Sequence, residues 1–193
     1  MGGVLLTNGW DHNERAEIIA EYHLDRAAVD ARHAAVFMDW DRGTITMDEY
    51  LDATIFYEPR PFSRQEFVTR MLAQSRLQPD GAMGILQQLA ASNQCLLGSF
   101  NNEGRETNEF RFKKFGLCGL FKVALSSCYL GLRKPEPAIY QRVIDILCRP
   151  AERILFIDDR AENVAAGQAA GMKTIQFTGA EALRGELKAL DIL

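Results

Sequence analysis

From Pro79 onward the chain alternates short apolar runs with helix-patterned stretches, and every apolar run ends in a small polar cluster. That alternation is the mark of a parallel sheet, because parallel strands cannot be joined by a tight turn and need a crossover that is usually a helix. The spacing predicts strands over residues 95–100, 121–125, 153–157 and 173–177. It predicts helices over residues 81–91, 106–115, 137–147, 161–170 and 180–190. The polar clusters are Asn101-Asn102, Ser126-Ser127, Asp158-Asp159 and Thr178-Gly179. Open α/β sheets bind ligands beyond the carboxyl ends of their strands, so these clusters are expected to converge on one site.

Before Pro79 the pattern is helical. Residues 11–78 carry apolar side chains three and four apart, as at Ala16, Ile19, Ala20 and Leu24. Thr46-Met47-Asp48-Glu49 has the form of a capping box, in which the Thr hydroxyl and the Glu carboxylate each satisfy the other's backbone N–H. Ser63-Arg64-Gln65-Glu66 repeats the form after Pro59 and Pro61 break the chain. The expected fold is therefore α/β, a doubly wound, Rossmann-like parallel sheet built from residues 1–10 and 79–193, with a small all-α cap of residues 11–78 inserted into it.

Composition narrows the functions open to such a fold. The 193 residues are 47% apolar and 25% charged, the balance of a soluble globular chain. Twenty-two Lys and Arg against 26 Asp and Glu give a net charge of −4, which argues against a nucleic-acid partner. No stretch reaches the roughly 18 apolar residues of a membrane span, and no secretory leader is visible, so a cytoplasmic setting is expected. Cys95, Cys118, Cys128 and Cys148 are scattered and show no C-x-x-C, so they are expected as buried thiols in a reducing compartment. All three histidines, His12, His23 and His33, lie in the helical part, which turns the chemistry toward carboxylates and lysine.

Three segments carry that chemistry. In residues 154–164 an apolar strand runs directly into Asp158 and Asp159, oxygen donors suited to a hard cation such as Mg²⁺; one of them also suffices to cap the following helix. In residues 130–140 Lys134 sits in a loop before Pro135 and Pro137, where a point charge can neutralise a phosphate and a carboxylate. In residues 99–105 the amides of Asn101 and Asn102 stand at a strand end that leads into a helix, a place for an anion.

In this order and spacing the segments resemble the haloacid dehalogenase-like (HAD) hydrolases, and among them the small-capped sugar-phosphate phosphatases of the alpha-D-glucose-1-phosphate phosphatase type. The resemblance implies a Mg²⁺-dependent hydrolase of small phosphomonoesters that works through an aspartyl phosphate, covalent catalysis splitting a slow hydrolysis into two easier steps. Carried over residue by residue, it makes Asp159 the main metal ligand and Asp158 a more distant or water-mediated one. Lys134 bridges nucleophile and phosphate, Asn163 orients the acidic loop, and Asn101 and Asn102 stand where the family has Ser or Thr followed by Asn.

The first motif of this branch is an apolar strand followed by Asp-x-Gly-Gly-Val-Leu, and Met1-Gly2-Gly3-Val4-Leu5 matches it from the x onward. The resemblance thus sets the nucleophilic aspartate immediately before Met1, at the end of a central first strand that this chain lacks. The residue two beyond the nucleophile is Gly2, which offers the metal only its backbone carbonyl and leaves the general acid unassigned. Residues 34–44 hold a rival Asp-x-Asp, Asp39 and Asp41, whose plainer reading is a helix end and turn within the cap. Two alternatives to the phosphatase remain: a 2-haloacid dehalogenase, which the repulsion between adjacent acids disfavours without a cation, and a phosphate- and metal-binding protein without turnover. The basic run Arg111-Phe112-Lys113-Lys114 is expected as a solvated helix face and Asp11 near the substrate mouth, while Trp10, Trp40, Phe56, Tyr57 and Arg60 either line the entrance or, for most of them, pack the core of the cap.

Overall fold

The computed structural model describes residues 1–193. The helical part holds α1 (His12–Glu21), α2 (Arg26–Asp41), α3 (Met47–Thr54) and α4 (Arg64–Ala73). Each starts on a residue whose side chain accepts a backbone N–H: Asp11, Asp25, Thr46 and Ser63. At Thr46 the capping box with Glu49 is complete. The four helices close on a core of their own, in which Ile18, Val29, Tyr50, Leu51, Ile55 and Phe67 are wholly buried.

After residue 79 the order is α5 (Met83–Ser92), β1 (Gly98–Asn101), α6 (Arg105–Lys114), β2 (Val123–Ser126), α7 (Ser127–Leu130), α8 (Pro137–Leu147), β3 (Leu155–Asp158), α9 (Ala161–Ala169), β4 (Lys173–Gln176) and α10 (Ala180–Ala189). β1 pairs with β2 and β3 with β4, both in parallel. Alternate residues of a strand serve opposite faces. Leu155 and Ile157 therefore join a core with Leu86, Leu183 and Leu187 of α5 and α10, while Ile154 and Phe156 join one with Ile139, Tyr140 and Val143 of α8. Strands covered on both faces are the reason these runs read as continuously apolar.

Several expectations shift. The first strand begins at Gly98, and Cys95 and Leu96 are exposed, Leu96 at 59%. An apolar run becomes strand only where a neighbour offers ladder partners, and Val123, the partner of Gly98, is where β2 starts. At the other end the strands reach into the polar clusters, so that Asn101, Ser126 and Asp158 are strand residues. The short α7 went unforeseen. Of the four thiols only Cys128 is buried, the other three being exposed. Arg111 and Phe112 are buried rather than solvated, Arg111 paired with Glu103 and donating to the Thr7 carbonyl.

The single sheet expected is two separate parallel pairs, β1-β2 and β3-β4. A cavity of about 560 Å³ is lined by 28 residues, 23 of them hydrophobic, and both pairs contribute to it, with Phe100 and Leu125 from one and Phe156 and Ile157 from the other. Residues 1–6 form a tight turn beside it, with the Met1 carbonyl accepting the N–H groups of Val4, Leu5 and Leu6. No helix is long and apolar enough to cross a membrane.

Gly167 of α9 shows how tightly the helices seat on the strands, since a Cβ there would lie 2.7 Å from Phe156 Cδ1. Phe156 is itself hemmed in by Phe100 and Tyr140, at ring distances of 5.2 and 5.8 Å. Gly167→Ala is expected to cost about 1–3 kcal/mol through overpacking. Thermal unfolding should show a Tm lower by several degrees.

Candidate active site

Two of the four polar clusters, Asn101-Asn102 and Asp158-Asp159, converge on a cavity of about 490 Å³ lined by 24 residues of which only four are hydrophobic, whereas Ser126-Ser127 and Thr178-Gly179 do not line it. One wall comes from the loops after β1 and β3 and from the loop before α8, the other from α1 and α2.

Lys134 is the centre of the first wall. Its side chain is 4% exposed, and its ammonium donates to the Phe100 carbonyl of β1 at 2.9 Å and to Asp158 Oδ2 of β3 at 2.5 Å. The rings of Phe100 and Phe156 flank it at 4.9 and 5.1 Å. Burial pushes the ammonium down from the ordinary lysine value, while Asp158 works against that. For Asp158 burial acts upward but is outweighed by Lys134, with help from Asn163 and the Arg160 N–H, so its carboxyl lies below the usual range and the pair is ionised. Asp158 Oδ1 accepts from Asn163 Nδ2 at 2.8 Å and from Arg160 N at 3.0 Å.

Asp159 is in the opposite condition. Its side chain accepts no hydrogen bond from any other residue, and burial, together with the charge of Asp158, raises its carboxyl above the usual value. It lies against Gly3, whose φ is +74° and where a Cβ would lie 2.2 Å from Asp159 Oδ2, so no side chain fits. The Gly2 carbonyl beside this turn also accepts no hydrogen bond. A free, partly desolvated carboxylate and a free carbonyl are hard oxygen donors that fit Mg²⁺. No group of three or more His, Cys, Asp or Glu side chains gathers to hold a metal without further donors.

The two asparagines are used inside the protein. Asn101 Nδ2 donates to Glu103 Oε2 and Asn108 Oδ1, and its Oδ1 accepts from Ser126 Oγ. Asn102 clasps the main chain of Lys134, accepting from its N–H at 2.9 Å and donating to its carbonyl at 2.8 Å. Both line the cavity. Beyond them the first turn of α6 starts on Gly104 without a side-chain cap, and Gly104 and Thr107 line the same cavity.

The second wall holds Trp10, Asp11 and Trp40, which the sequence offered near the entrance, and Arg15, His33 and Asp41, whose place there it did not reveal. Trp10 Nε1 and His33 Nδ1 meet the Tyr50 hydroxyl at 2.8 and 2.7 Å, and Arg15 reaches His33 Nε2 at 3.2 Å and Asp30 at 2.9 Å. Arginine only donates, so Nε2 accepts and Nδ1 carries the hydrogen. Burial foremost, and then Arg15, holds His33 down to about 4, a neutral ring. Trp10 and Trp40 are core residues and cavity wall at once. Trp40 lies on Gly104, where no Cβ fits; Tyr57 packs between Arg32 and Arg60, clear of the cavity. Asp41, at the end of α2, pairs with Arg133 at 3.2 Å, and Arg42 pairs with Glu136 at 2.5 Å. The Asp-x-Asp spacing pointed at Asp41 for another reason; Arg133, Glu103 and Arg111 had no signal beyond adjacency to the motifs.

A profile for a haloacid dehalogenase-like hydrolase matches residues 5–171. Flavin mononucleotide hydrolase 1 of Arabidopsis thaliana is 29% identical over 164 residues, 85% of this chain and 65% of that one. A sesquiterpene phosphatase of Aspergillus oryzae is 30% identical over 115 residues, 59% of this chain and 58% of that one. The chain thus spans less than two thirds of either relative. Among solved structures, a HAD family enzyme from Bacteroides thetaiotaomicron in its magnesium complex superposes with a TM-score of 0.76 at 19% identity, covering 93% of this chain and 90% of that one.

Removing Lys134 tests the electrostatics. Lys134→Met leaves Asp158 buried without its cation and is expected to cost about 3–5 kcal/mol at neutral pH. In the wild type, Asp158 contributes stability that is present above its unfolded value of about 4 and is lost as pH falls through its lower folded value. The variant lacks that contribution, so the gap between the two proteins in urea unfolding should shrink as the pH is taken below about 4. Asp158→Asn added to Lys134→Met should recover part of the loss.

Proposed function

Because this chain belongs to the haloacid dehalogenase-like hydrolase family, we propose that it hydrolyses small phosphomonoesters in the polar cavity between the strand ends and the helical part. The observation that carries this reading is the pairing at the end of β3 of one carboxylate fully engaged by Lys134 and Asn163 with a neighbour, Asp159, that no other residue's donor engages. Residues 1–10 and 79–193 act as the core and residues 11–78 as the cap. Lys134 receives a phosphoryl oxygen, and the Asn101-Asn102 segment and the start of α6 offer it main-chain N–H groups. Asp159 and the Gly2 carbonyl hold Mg²⁺, with Asp158 behind them. Bound there, the cation would offset the repulsion between an anionic nucleophile and an anionic phosphate.

The nucleophile is a carboxylate supplied immediately before Met1. Two open strand edges, β1 and β3, face the apolar cavity of about 560 Å³, and Met1 lines both that cavity and the polar one. An apolar parallel strand ending in Asp would occupy the first cavity and bring its last side chain to the second, beside Lys134. The polar lining favours a hydrophilic leaving group such as a sugar over an isoprenoid. Four free cysteines agree with a reducing, cytoplasmic setting.

Phosphate release is to be measured over sugar and nucleotide monophosphates, with the chain as it stands and with an apolar strand ending in Asp placed before Met1. The extended chain should turn over with Mg²⁺ and stop with a chelator. Lys134→Ala and Asp159→Asn should each slow it by about 10²–10³-fold. Activity that survives metal removal would point to dehalogenase-like chemistry, and phosphate-dependent stabilisation without turnover to a binding protein.

A further inference from the structure

The leaving group of an alkyl phosphate departs as an alkoxide unless a proton is supplied, and Gly2 at the position two beyond the nucleophile has no side chain to supply it. Six carboxylates line the polar cavity: Asp11, Asp41, Glu103, Asp158, Asp159 and Glu162. Asp158 has both oxygens engaged by Lys134, Asn163 and Arg160. Glu103 has both engaged by Arg111 and Asn101. Asp11 caps α1 and holds Asn8. Asp159 is committed to the cation on the reading above, and Glu162 is exposed on α9.

Asp41 differs from all of these. It sits on the wall opposite Lys134, its Oδ2 is held by Arg133 at 3.2 Å, and its Oδ1 accepts no hydrogen bond. Its side chain is 18% exposed, open to the cavity but little else. The backbone is fixed as well, because Ser127 Oγ donates to the Asp41 carbonyl at 2.6 Å. The only ring that could compete, His33, has both nitrogens occupied and is neutral at physiological pH.

We propose that Asp41, presented by the end of α2 and aimed by Arg133, is the general acid that protonates the leaving oxygen and then the general base for the hydrolytic water. This assignment rests on the phosphomonoesterase reading. In the first step the nucleophilic carboxylate forms its bond to phosphorus as the ester P–O bond breaks, and the proton of Asp41 passes to the departing oxygen to give the alcohol. In the second step water attacks phosphorus, its proton passes to the Asp41 carboxylate, and the acyl phosphate bond breaks to give inorganic phosphate and the free nucleophile. Burial raises the Asp41 carboxyl to about 6, Arg133 acting against it, so that both forms are accessible near neutrality. The other ionisable groups that face it are Glu103 and Arg160 from the strand-end loops, Tyr50 of α3 and Cys128 of α7.

The test compares kcat/KM for a hexose 6-phosphate, whose leaving group needs a proton, with 2,4-dinitrophenyl phosphate, whose leaving group does not. The protein is the chain that carries the strand before Met1. Asp41→Asn is expected to lose about 10²–10⁴-fold on the hexose phosphate, with a loss on the aryl ester at least tenfold smaller. Asp41→Glu should recover part of the difference. The wild-type hexose phosphate profile should fall above about pH 6, and Asp41→Asn should lack that limb. Equal losses on both esters, or no loss on either, would overturn the assignment while leaving the hydrolase reading intact. Absence of turnover of both esters by the parent protein would overturn that reading and the role of Asp41 with it.

Discussion

The ammonium of Lys134 joins what the sheet leaves apart. The two strand pairs share no ladder hydrogen bond, yet Lys134 Nζ reaches the Phe100 carbonyl of β1 and the Asp158 carboxylate of β3 from one position. Burying a charge costs several kcal/mol, and it is tolerable only where geometry and further hydrogen bonds compensate it. Here Asn102 fixes the lysine main chain, Asn163 and the Arg160 N–H hold the far oxygen of Asp158, and two aromatic rings flank the ammonium. The same contacts exhaust Asp158 and leave Asp159 without a donor from another residue, so one interaction sets both the junction of the halves and the contrast between two adjacent acids.

Around that junction the helical part forms a polar wall with a rigid back. Tyr50 anchors Trp10 and His33, Arg15 links His33 to Asp30, and Trp40 stacks on Tyr50 at 4.3 Å while lying on Gly104 across the cavity. A satisfied buried polar network of this kind specifies one arrangement of its members. Ion pairs between the two walls, Asp41 with Arg133 and Arg42 with Glu136, fix the register of α2 against the loop that carries Lys134.

Much of this was legible in the sequence because it rests on local rules. The caps at Asp11, Thr46 and Ser63, the helix at 137–147 opening on Pro137, and the apolar runs before the acidic pair all depend on neighbours in the chain. What was not legible depends on partners far away. Leu96 looks like strand but has no ladder partner, and Arg111 looks solvated but meets Glu103 and the Thr7 carbonyl, 104 residues distant in the second case. The amides of Asn101 and Asn102 look free for a ligand and are spent on Glu103, Asn108 and the Lys134 main chain. Asp41 carries no local sign of its role, since its environment is made by Arg133, Glu103 and Arg160 from three other loops.

On the proposed function, Lys134 and Asp159 form the two sides of one anion and cation site. A crystal structure grown with Mg²⁺ and orthovanadate is the direct measurement. It should show the vanadate within hydrogen-bonding distance of Lys134 Nζ and the cation on the Asp159 carboxylate and Gly2 carbonyl. Vanadate bound elsewhere, or a cation held away from Asp159, would contradict it.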